Sequence, residues 1–190
     1  MVYVFLADGF EETEAFVPID LMSRAGIKVT TVGVGSTTLT GAHGITVRAD
    51  ISEELFLPDE GIEAIMLPGG PGTPNLARSE TVKRAIHLAS DEEITVAAIC
   101  AAPTVLANES MLGRKTATCF PSCSSALGDS YRNESVIYDR PFLTARAAGS
   151  AFEFGLKLVE IIKGEKAAQD VAAEIYYKKR LITGGFADEG

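Results

Sequence analysis

Short apolar runs alternate with longer amphipathic segments along this chain, and the alternation limits the folds open to it. The runs that predict core strands are 2–7, 27–34, 64–67 and 94–99. The segments that predict helices are 11–25, 79–89, 101–108, 150–163 and 165–174. Strands that are apolar throughout are typical of parallel sheets buried on both faces. The pattern therefore predicts an α/β fold with a mostly parallel sheet between two layers of helices.

Several shorter elements complete this outline. A small hairpin is expected from 37–40 and 45–48, which flank a glycine-containing turn. Three further short strands are expected at 115–118, 135–138 and 142–145. In such folds the functional site lies at the carboxyl ends of the parallel strands. The residues that follow each core strand are therefore the candidates for chemistry.

Length and charge restrict the chain further. Its 190 residues suit one domain, and we predict a single unit over 1–190. With 17 Lys and Arg against 26 Asp and Glu, the net charge is −9, which disfavours nucleic acids and anionic membranes as partners. No stretch is apolar enough to predict a membrane span, and no signal peptide is expected. We expect a cytoplasmic protein with three reduced cysteines.

Cys100 is the main candidate for a reactive residue. It stands between a predicted strand and a helix that begins at Ala101, so it must occupy the turn between them. A sharp strand-to-helix turn presents its side chain at the edge of the sheet. The helix N-terminus favours negative charge there and lowers the pKa of a thiol. The alternative is a buried thiol with a packing role only.

Glu14 is the second candidate, because it lies on the same helix stripe as Pro18 and Leu21, which is expected to face the core. A carboxyl on an apolar face is costly unless it is paired or protonated. It would neighbour the cysteine if the first and fourth core strands were adjacent. Glu11 and Glu12 are expected to face water in the first turn of the helix.

The glycine-rich segment 68–72 is the third element. No Gly-Lys-Ser/Thr follows it, so it is not a phosphate loop. It is either a tight turn or a source of backbone N–H groups for an oxyanion. The histidines His43 and His87 are isolated and expected at the surface. Cys119 and Cys123 are four residues apart, but no second pair of cysteines or histidines accompanies them to complete a zinc site. No metal or cofactor is expected.

Several stretches, taken together and in this order, resemble the ThiJ/PfpI superfamily. They are LADGFEETE at 6–14, PID at 18–20, RAGIKV at 24–29, LPGG at 67–70, AICA at 98–101, LTAR at 143–146 and SAFEFG at 150–155. The resemblance covers about 1–172 and is closest to the branch that contains the human parkinsonism-associated deglycase and bacterial YajL. Residues 175–190 match nothing in it.

The resemblance implies a flavodoxin-like three-layer sandwich that usually forms a homodimer. It implies that Cys100 is the reactive, oxidisable cysteine. It also implies that Glu14 is a protonated carboxyl that hydrogen-bonds the thiolate. The backbone N–H groups of Gly70 and Ala101 correspond to the family's oxyanion pocket.

Other positions are possible pocket residues. Arg24 corresponds to a family arginine near the dimer interface, and His43 falls where relatives can carry another arginine. Phe120 precedes a proline at a position where some relatives have histidine, so a mechanism with a histidine base is in doubt. The protease and amidotransferase branches are disfavoured because their dyad histidines are absent.

Cys119 follows the predicted strand 115–118, and we expect it within reach of the Cys100 pocket. If the two sulfurs approach, a Cys100–Cys119 disulfide could trap an oxidised Cys100. The alternative is that Cys119 points into the core beneath Phe120.

The function implied by the resemblance is a cofactor-free glyoxalase or deglycase in carbonyl and oxidative stress protection. Cys100 would attack methylglyoxal-type 2-oxoaldehydes or their glycated adducts, and Glu14 would move the proton. The alternative is a non-enzymatic redox sensor or stress chaperone that signals through oxidation of Cys100. Both functions use the same residues, so the sequence leaves both open.

Overall fold

Nine strands and seven α-helices are present in residues 1–58 and 61–178, the parts of the chain that this computed structural model describes. The strands are β1 (Val2–Ala7), β2 (Val29–Val34), β3 (Thr38–Thr40), β4 (Thr46–Arg48), β5 (Ile51–Ser52), β6 (Ala64–Leu67), β7 (Thr95–Ile99), β8 (Val136–Asp139) and β9 (Phe142–Ala145). The helices are α1 (Glu12–Arg24), α2 (Thr73–Arg78), α3 (Glu80–Asp91), α4 (Pro103–Asn108), α5 (Ser124–Leu127), α6 (Ala151–Lys163) and α7 (Glu165–Glu174).

Seven of the strands form one sheet in the order β5-β2-β1-β6-β7-β9-β8. All neighbours in it are parallel except β8 and β9, which are antiparallel. Strands β3 and β4 form the expected separate hairpin. Since the strands of the parallel part all run the same way, their carboxyl ends lie along one edge of the sheet.

The two faces of the sheet carry separate apolar clusters. Strands β1, β6 and β7 are buried along their whole length, because alternate side chains point into the two clusters. One cluster includes residues of α2, α3, α4 and α5. The other includes residues of α1, α6 and α7. This arrangement confirms the predicted flavodoxin-like, three-layer α/β sandwich.

The predicted strand at 115–118 is wrong, since these residues make only one isolated bridge to the rest of the backbone. Side chains take the place of a neighbouring strand. The Thr116 N–H donates to the carboxylate of Asp139 at 2.8 Å. The Thr118 N–H donates to the hydroxyl of Thr144 at 3.0 Å. Strand β7 pairs directly with β9, so no place is left between them.

The remaining expectations for secondary structure agree with the fold to within a few residues. The short elements β5, α2 and α5 were not expected, because they are too short to show a periodic pattern. Within the described residues, no helix has the length and apolar character needed to cross a membrane. The prediction of one unit over 1–190 includes residues 59–60 and 179–190, which lie outside the described residues.

The contact between α1 and α6 brings two backbones close together at Gly155. A Cβ atom at this position would lie 2.7 Å from Cδ1 of Leu21 and 2.9 Å from Cα of Pro18. The Pro18 atom belongs to the backbone and cannot move aside alone. The absence of a side chain at Gly155 therefore allows α6 to pack closely against α1, which carries Glu14, on the same face of the sheet.

We expect Gly155→Ala to lower the free energy of unfolding by roughly 1–2 kcal/mol, because overpacking outweighs the ~1 kcal/mol that alanine gains in a helix. Urea denaturation would measure it. Gly149→Ala is the matched control, since a Cβ there meets nothing within 4 Å. A Gly155→Ala protein as stable as the control would show that the two helices are not in such close contact.

Candidate active site

Cys100 occupies the turn between β7 and α4 with a backbone φ of +65°. Non-glycine residues rarely adopt this left-handed conformation, which costs on the order of 1–3 kcal/mol. Two hydrogen bonds hold the residue there. Its N–H donates to the carbonyl of Ala145 at 2.8 Å, and its own carbonyl accepts from the N–H of Phe120 at 2.8 Å. The turn is thus fixed from the neighbouring strand and from the loop that follows α4.

The Cys100 sulfur is half-buried and has two backbone donors. The N–H groups of Ala101 and Gly70 both donate to it. Burial raises the pKa of the thiol to about 12 and the Glu14 carboxylate adds to the rise, whereas the two N–H groups lower it. The site therefore disfavours a negative charge on both Cys100 and Glu14 at once. It provides two backbone donors for a single negative charge on the sulfur.

Glu14 lies on the inward face of α1, as its place on the helix stripe indicated, and is only 1% exposed. Its carboxyl hydrogen-bonds the Cys100 sulfur and accepts from the backbone N–H of Ala148. Its Oε2 also accepts from the N–H of Gly69 at 3.0 Å. Burial raises the pKa of Glu14 to about 7 and the charge of Glu11 adds to the rise, while the hydrogen bonds lower it.

These two groups titrate as one unit because they are in direct contact. Between the two pKa values of about 7 and about 12, the pair holds a single proton and one negative charge. Both positions of that proton, on the carboxyl or on the sulfur, keep a hydrogen bond between the groups. The pair can therefore act as a nucleophile and a proton carrier at once.

The first and fourth core strands, β1 and β7, are not adjacent, because β6 lies between them. Glu14 reaches Cys100 across the end of β6, at Gly69. A Cβ atom on Gly69 would lie 2.7 Å from Glu14 Oε2, 2.7 Å from the Ile99 carbonyl oxygen and 2.8 Å from Cys100 Cβ. The sequence singles out Gly70, whose φ is +95°, but gives Gly69 no role beyond its place in the glycine-rich segment 68–72. The adjacent pair of glycines was the available signal.

Glu11 fixes the start of α1 against the same loop. Its Oε2 accepts from the N–H of Glu14 at 2.7 Å, which caps the helix. Its own N–H donates to the carbonyl of Gly69 at 3.0 Å. The Gly69 residue is therefore held at its carbonyl by Glu11 and at its N–H by Glu14.

Glu12 does not face water as expected, since it is only 8% exposed. The tip of the β3–β4 hairpin covers it. The N–H of His43 donates to Glu12 Oε1 at 2.8 Å, and the Nδ1 atom of His43 lies 2.7 Å from Oε2. Burial opposes ionisation of Glu12, but these hydrogen bonds outweigh it and lower its pKa. The hairpin is thus fastened to the first turn of α1.

The His43 ring itself is exposed, as predicted, and its hydrogen bond to Glu12 raises its pKa. Within residues 1–58 and 61–178, Glu11, Glu12 and His43 form one group of possible metal ligands, with ligand atoms within 4.8 Å of one another. Glu12 and His43 already hydrogen-bond each other. The expectation of no metal or cofactor stays a prediction.

Arg24 is not brought to Cys100 within the chain. It lies at the opposite end of α1 from Glu14, roughly 15 Å away at ~1.5 Å per residue. Its Nε pairs with Asp20 at 2.8 Å and its guanidinium pairs with Glu174 of α7 at 2.7 Å. Arg24 therefore joins the ends of two helices.

Phe120 touches Cys100 through its backbone, and its side chain is 42% exposed. Cys119 is completely buried and belongs to the cluster on the face that carries α2 to α5. Cys100 packs against the cluster on the other face. This placement favours the alternative in which Cys119 points into the core.

The sequence profile of the DJ-1/PfpI family matches residues 1–161. Protein dj-1beta of Drosophila melanogaster is 34% identical over 181 residues, which cover 89% of this chain and 92% of the fly protein. The crystal structure of Drosophila melanogaster DJ-1beta superposes with a TM-score of 0.89 at 32% identity, over 93% of this chain and 97% of that one.

Two more distant relatives have names that state an activity. The glutathione-independent glyoxalase DJR-1.2 of Caenorhabditis elegans is 28% identical over 157 residues, 81% of this chain and 83% of the worm protein. A deglycase of Pyrococcus abyssi is 26% identical over 165 residues, 85% of this chain and 99% of the archaeal protein. Together with the profile match over most of the sequence, these relationships show that this chain belongs to the DJ-1/PfpI family.

Proposed function

We propose that the protein is a cysteine-dependent glyoxalase or deglycase that needs no cofactor. Its substrates would be 2-oxoaldehydes such as methylglyoxal, or their adducts with thiols and amines. The observation that carries this proposal is the hydrogen-bonded pair of Cys100 and Glu14, with two backbone N–H groups at the sulfur. The glyoxalase and the deglycase among its relatives support the same reaction class.

In the reactive state of the pair, Glu14 holds the proton and Cys100 is a thiolate. The sulfur attacks the aldehyde carbon of methylglyoxal, and the carbonyl oxygen takes the proton of Glu14, which gives a hemithioacetal. The Glu14 carboxylate then removes the proton from the former aldehyde carbon and returns it to the adjacent carbon, while the hydroxyl proton passes to the oxygen of that adjacent carbon. The product is a lactoyl thioester. Water hydrolyses it to lactate and the thiolate, and of the two protons released one returns to Glu14 and one goes to the solvent.

Glu14 suits this double role because its pKa of about 7 lies near the working pH. An ordinary surface carboxyl would rarely be protonated there. Phe120 stands where some relatives have histidine, so the mechanism assigns no step to a histidine base. Deglycation would be the same chemistry on a thiol or amine adduct of the 2-oxoaldehyde.

A redox sensor or stress chaperone is the second candidate function. One observation favours it: the N–H groups of Gly70 and Ala101 and the carboxyl of Glu14 surround a half-exposed sulfur. The same donors could hold the oxygens of a Cys100 sulfinate. A homodimer and a cytoplasmic location stay predictions for either function.

We expect wild-type protein to convert methylglyoxal to lactate, and Cys100→Ser to abolish the conversion. Glu14→Gln should lower turnover by ~10²–10⁴, the usual effect of losing one general acid–base group. Cys123→Ser is the matched control, since it removes another half-buried thiol outside the site. Enzymatic assay of lactate and circular dichroism of each variant would measure activity and folding. Wild type without turnover, or Cys100→Ser with normal turnover, would contradict the proposal.

The alkylation rate of Cys100 should rise as the pH increases through about 7, because the pair loses the first of its two protons there. In Glu14→Gln the midpoint should move to higher pH, since an amide N–H stabilises a thiolate less than a carboxylic O–H does. Labelling with iodoacetamide for fixed times, followed by mass spectrometry, would measure the alkylation rate of Cys100 at each pH. An unchanged midpoint in Glu14→Gln would show that the two groups are not coupled.

Gly69→Ala should lower turnover by at least tenfold while the protein still folds. The added methyl group would separate Glu14 from Cys100, and small displacements of reacting groups are costly. The matched control is Gly149→Ala, where a Cβ meets nothing within 4 Å. Equal activity of the two variants would mean that the close approach at Gly69 is not required.

A further inference from the structure

Cys119 and Cys123 converge on one backbone oxygen, although the proposed function uses neither of them. The Cys119 Sγ donates to the carbonyl oxygen of Phe120 at 3.4 Å. The N–H of Cys123 donates to the same oxygen at 2.8 Å. Because both atoms contact one oxygen, the Cys119 sulfur and the Cys123 nitrogen can be no more than about 6 Å apart.

We propose that Cys119 and Cys123 form a reversible disulfide within this loop when the protein meets a hydroperoxide. Cys123 ends the short turn Pro121–Cys123, so the two residues lie on either side of a tight bend. A disulfide needs Cβ atoms roughly 4 Å apart. The shared oxygen keeps the Cys119 sulfur close to the backbone of Cys123.

Cys119 and Cys123 pack on a different face of the sheet from Cys100. Cys119 belongs to the cluster on the α2–α5 face, and Cys123 packs against the same cluster. Cys100 packs against the cluster on the opposite face. The two sulfurs also interact electrostatically, since Cys123 contributes, after burial, to the raised pKa of Cys119. The favoured partner of Cys119 is therefore Cys123, in place of the Cys100 partner considered from sequence.

The reaction proceeds from the more accessible thiol. Cys123 is half-buried while Cys119 is fully buried, so the sulfur of Cys123 attacks the peroxide oxygen first. The O–O bond breaks, Cys123 becomes a sulfenic acid, and an alcohol or water leaves. The sulfur of Cys119 then displaces the sulfenic hydroxyl, which leaves as water with the thiol proton. Two thiols are oxidised and one hydroperoxide is reduced.

The disulfide would form next to the site already described. The N–H of Phe120, which lies between the two cysteines, donates to the carbonyl of Cys100 at 2.8 Å. A thiol reductant can reverse a disulfide, whereas a sulfinate on Cys100 is not reversed in this way. Oxidation of the loop would thus be reversible, whereas oxidation of Cys100 to a sulfinate would not.

Mass mapping of Cys100→Ser tests the proposal without any measurement of turnover. Trypsin cleaves after Lys115 and Arg132, so Cys119 and Cys123 fall in one peptide, 116–132, with no other cysteine. The protein is treated with a limiting dose of hydrogen peroxide, unfolded, alkylated with iodoacetamide and digested. We expect peptide 116–132 to lack two hydrogen atoms and to take no alkyl group until dithiothreitol is added.

The control is Cys123→Ser in the same Cys100→Ser background, where Cys119 should take an alkyl group before and after peroxide. Full alkylation of both cysteines, after a dose that oxidises Cys100 in wild type, would overturn the proposal. Sulfinate on Cys123 beside a free Cys119 would overturn it too. In wild type, a peptide that joins Cys119 to Cys100 would do the same.

Discussion

The contact between a carboxyl and a thiol in a poorly hydrated place governs the rest of this site. Two negative charges cannot coexist there, so Glu14 and Cys100 share one proton and one charge over a wide pH range. The backbone N–H groups of Gly69, Gly70 and Ala101 point at that charge. They are fixed by the fold, and they need no reorganisation when charge develops during a reaction.

The contact between Glu14 and Cys100 depends on how several elements of the domain pack. Helix α1 places Glu14 across the end of β6, and the bare backbone of Gly155 in α6 allows these two helices to pack closely on the same face of the sheet. At the other side, Gly69 leaves room for the carboxyl and the cysteine to meet. The hairpin tip fastens the first turn of α1 through Glu12. Each of these features lies on a different element, so the site forms only when the fold is complete.

The sequence predicted those features that depend on local pattern. Apolar runs identified β1, β6 and β7, the strand-to-helix turn singled out Cys100, and the helix stripe placed Glu14 inward. Features that depend on distant partners were missed. Glu12 is buried because His43 donates to it from a hairpin 31 residues later. Residues 115–118 resemble a strand, but distant side chains accept from the N–H groups of Thr116 and Thr118 in place of a neighbouring strand. The strand order that separates β1 from β7 is likewise non-local.

The central claim is that Glu14 and Cys100 share one proton and one negative charge. Infrared difference spectroscopy of reduced wild type against Glu14→Gln and Cys100→Ser measures this directly, at a pH between the pair's two pKa values of about 7 and about 12. The account predicts one proton on the pair: a carbonyl stretch that disappears in Glu14→Gln or an S–H stretch that disappears in Cys100→Ser, but not both at full strength. Both stretches at full intensity, or neither of them, would contradict it.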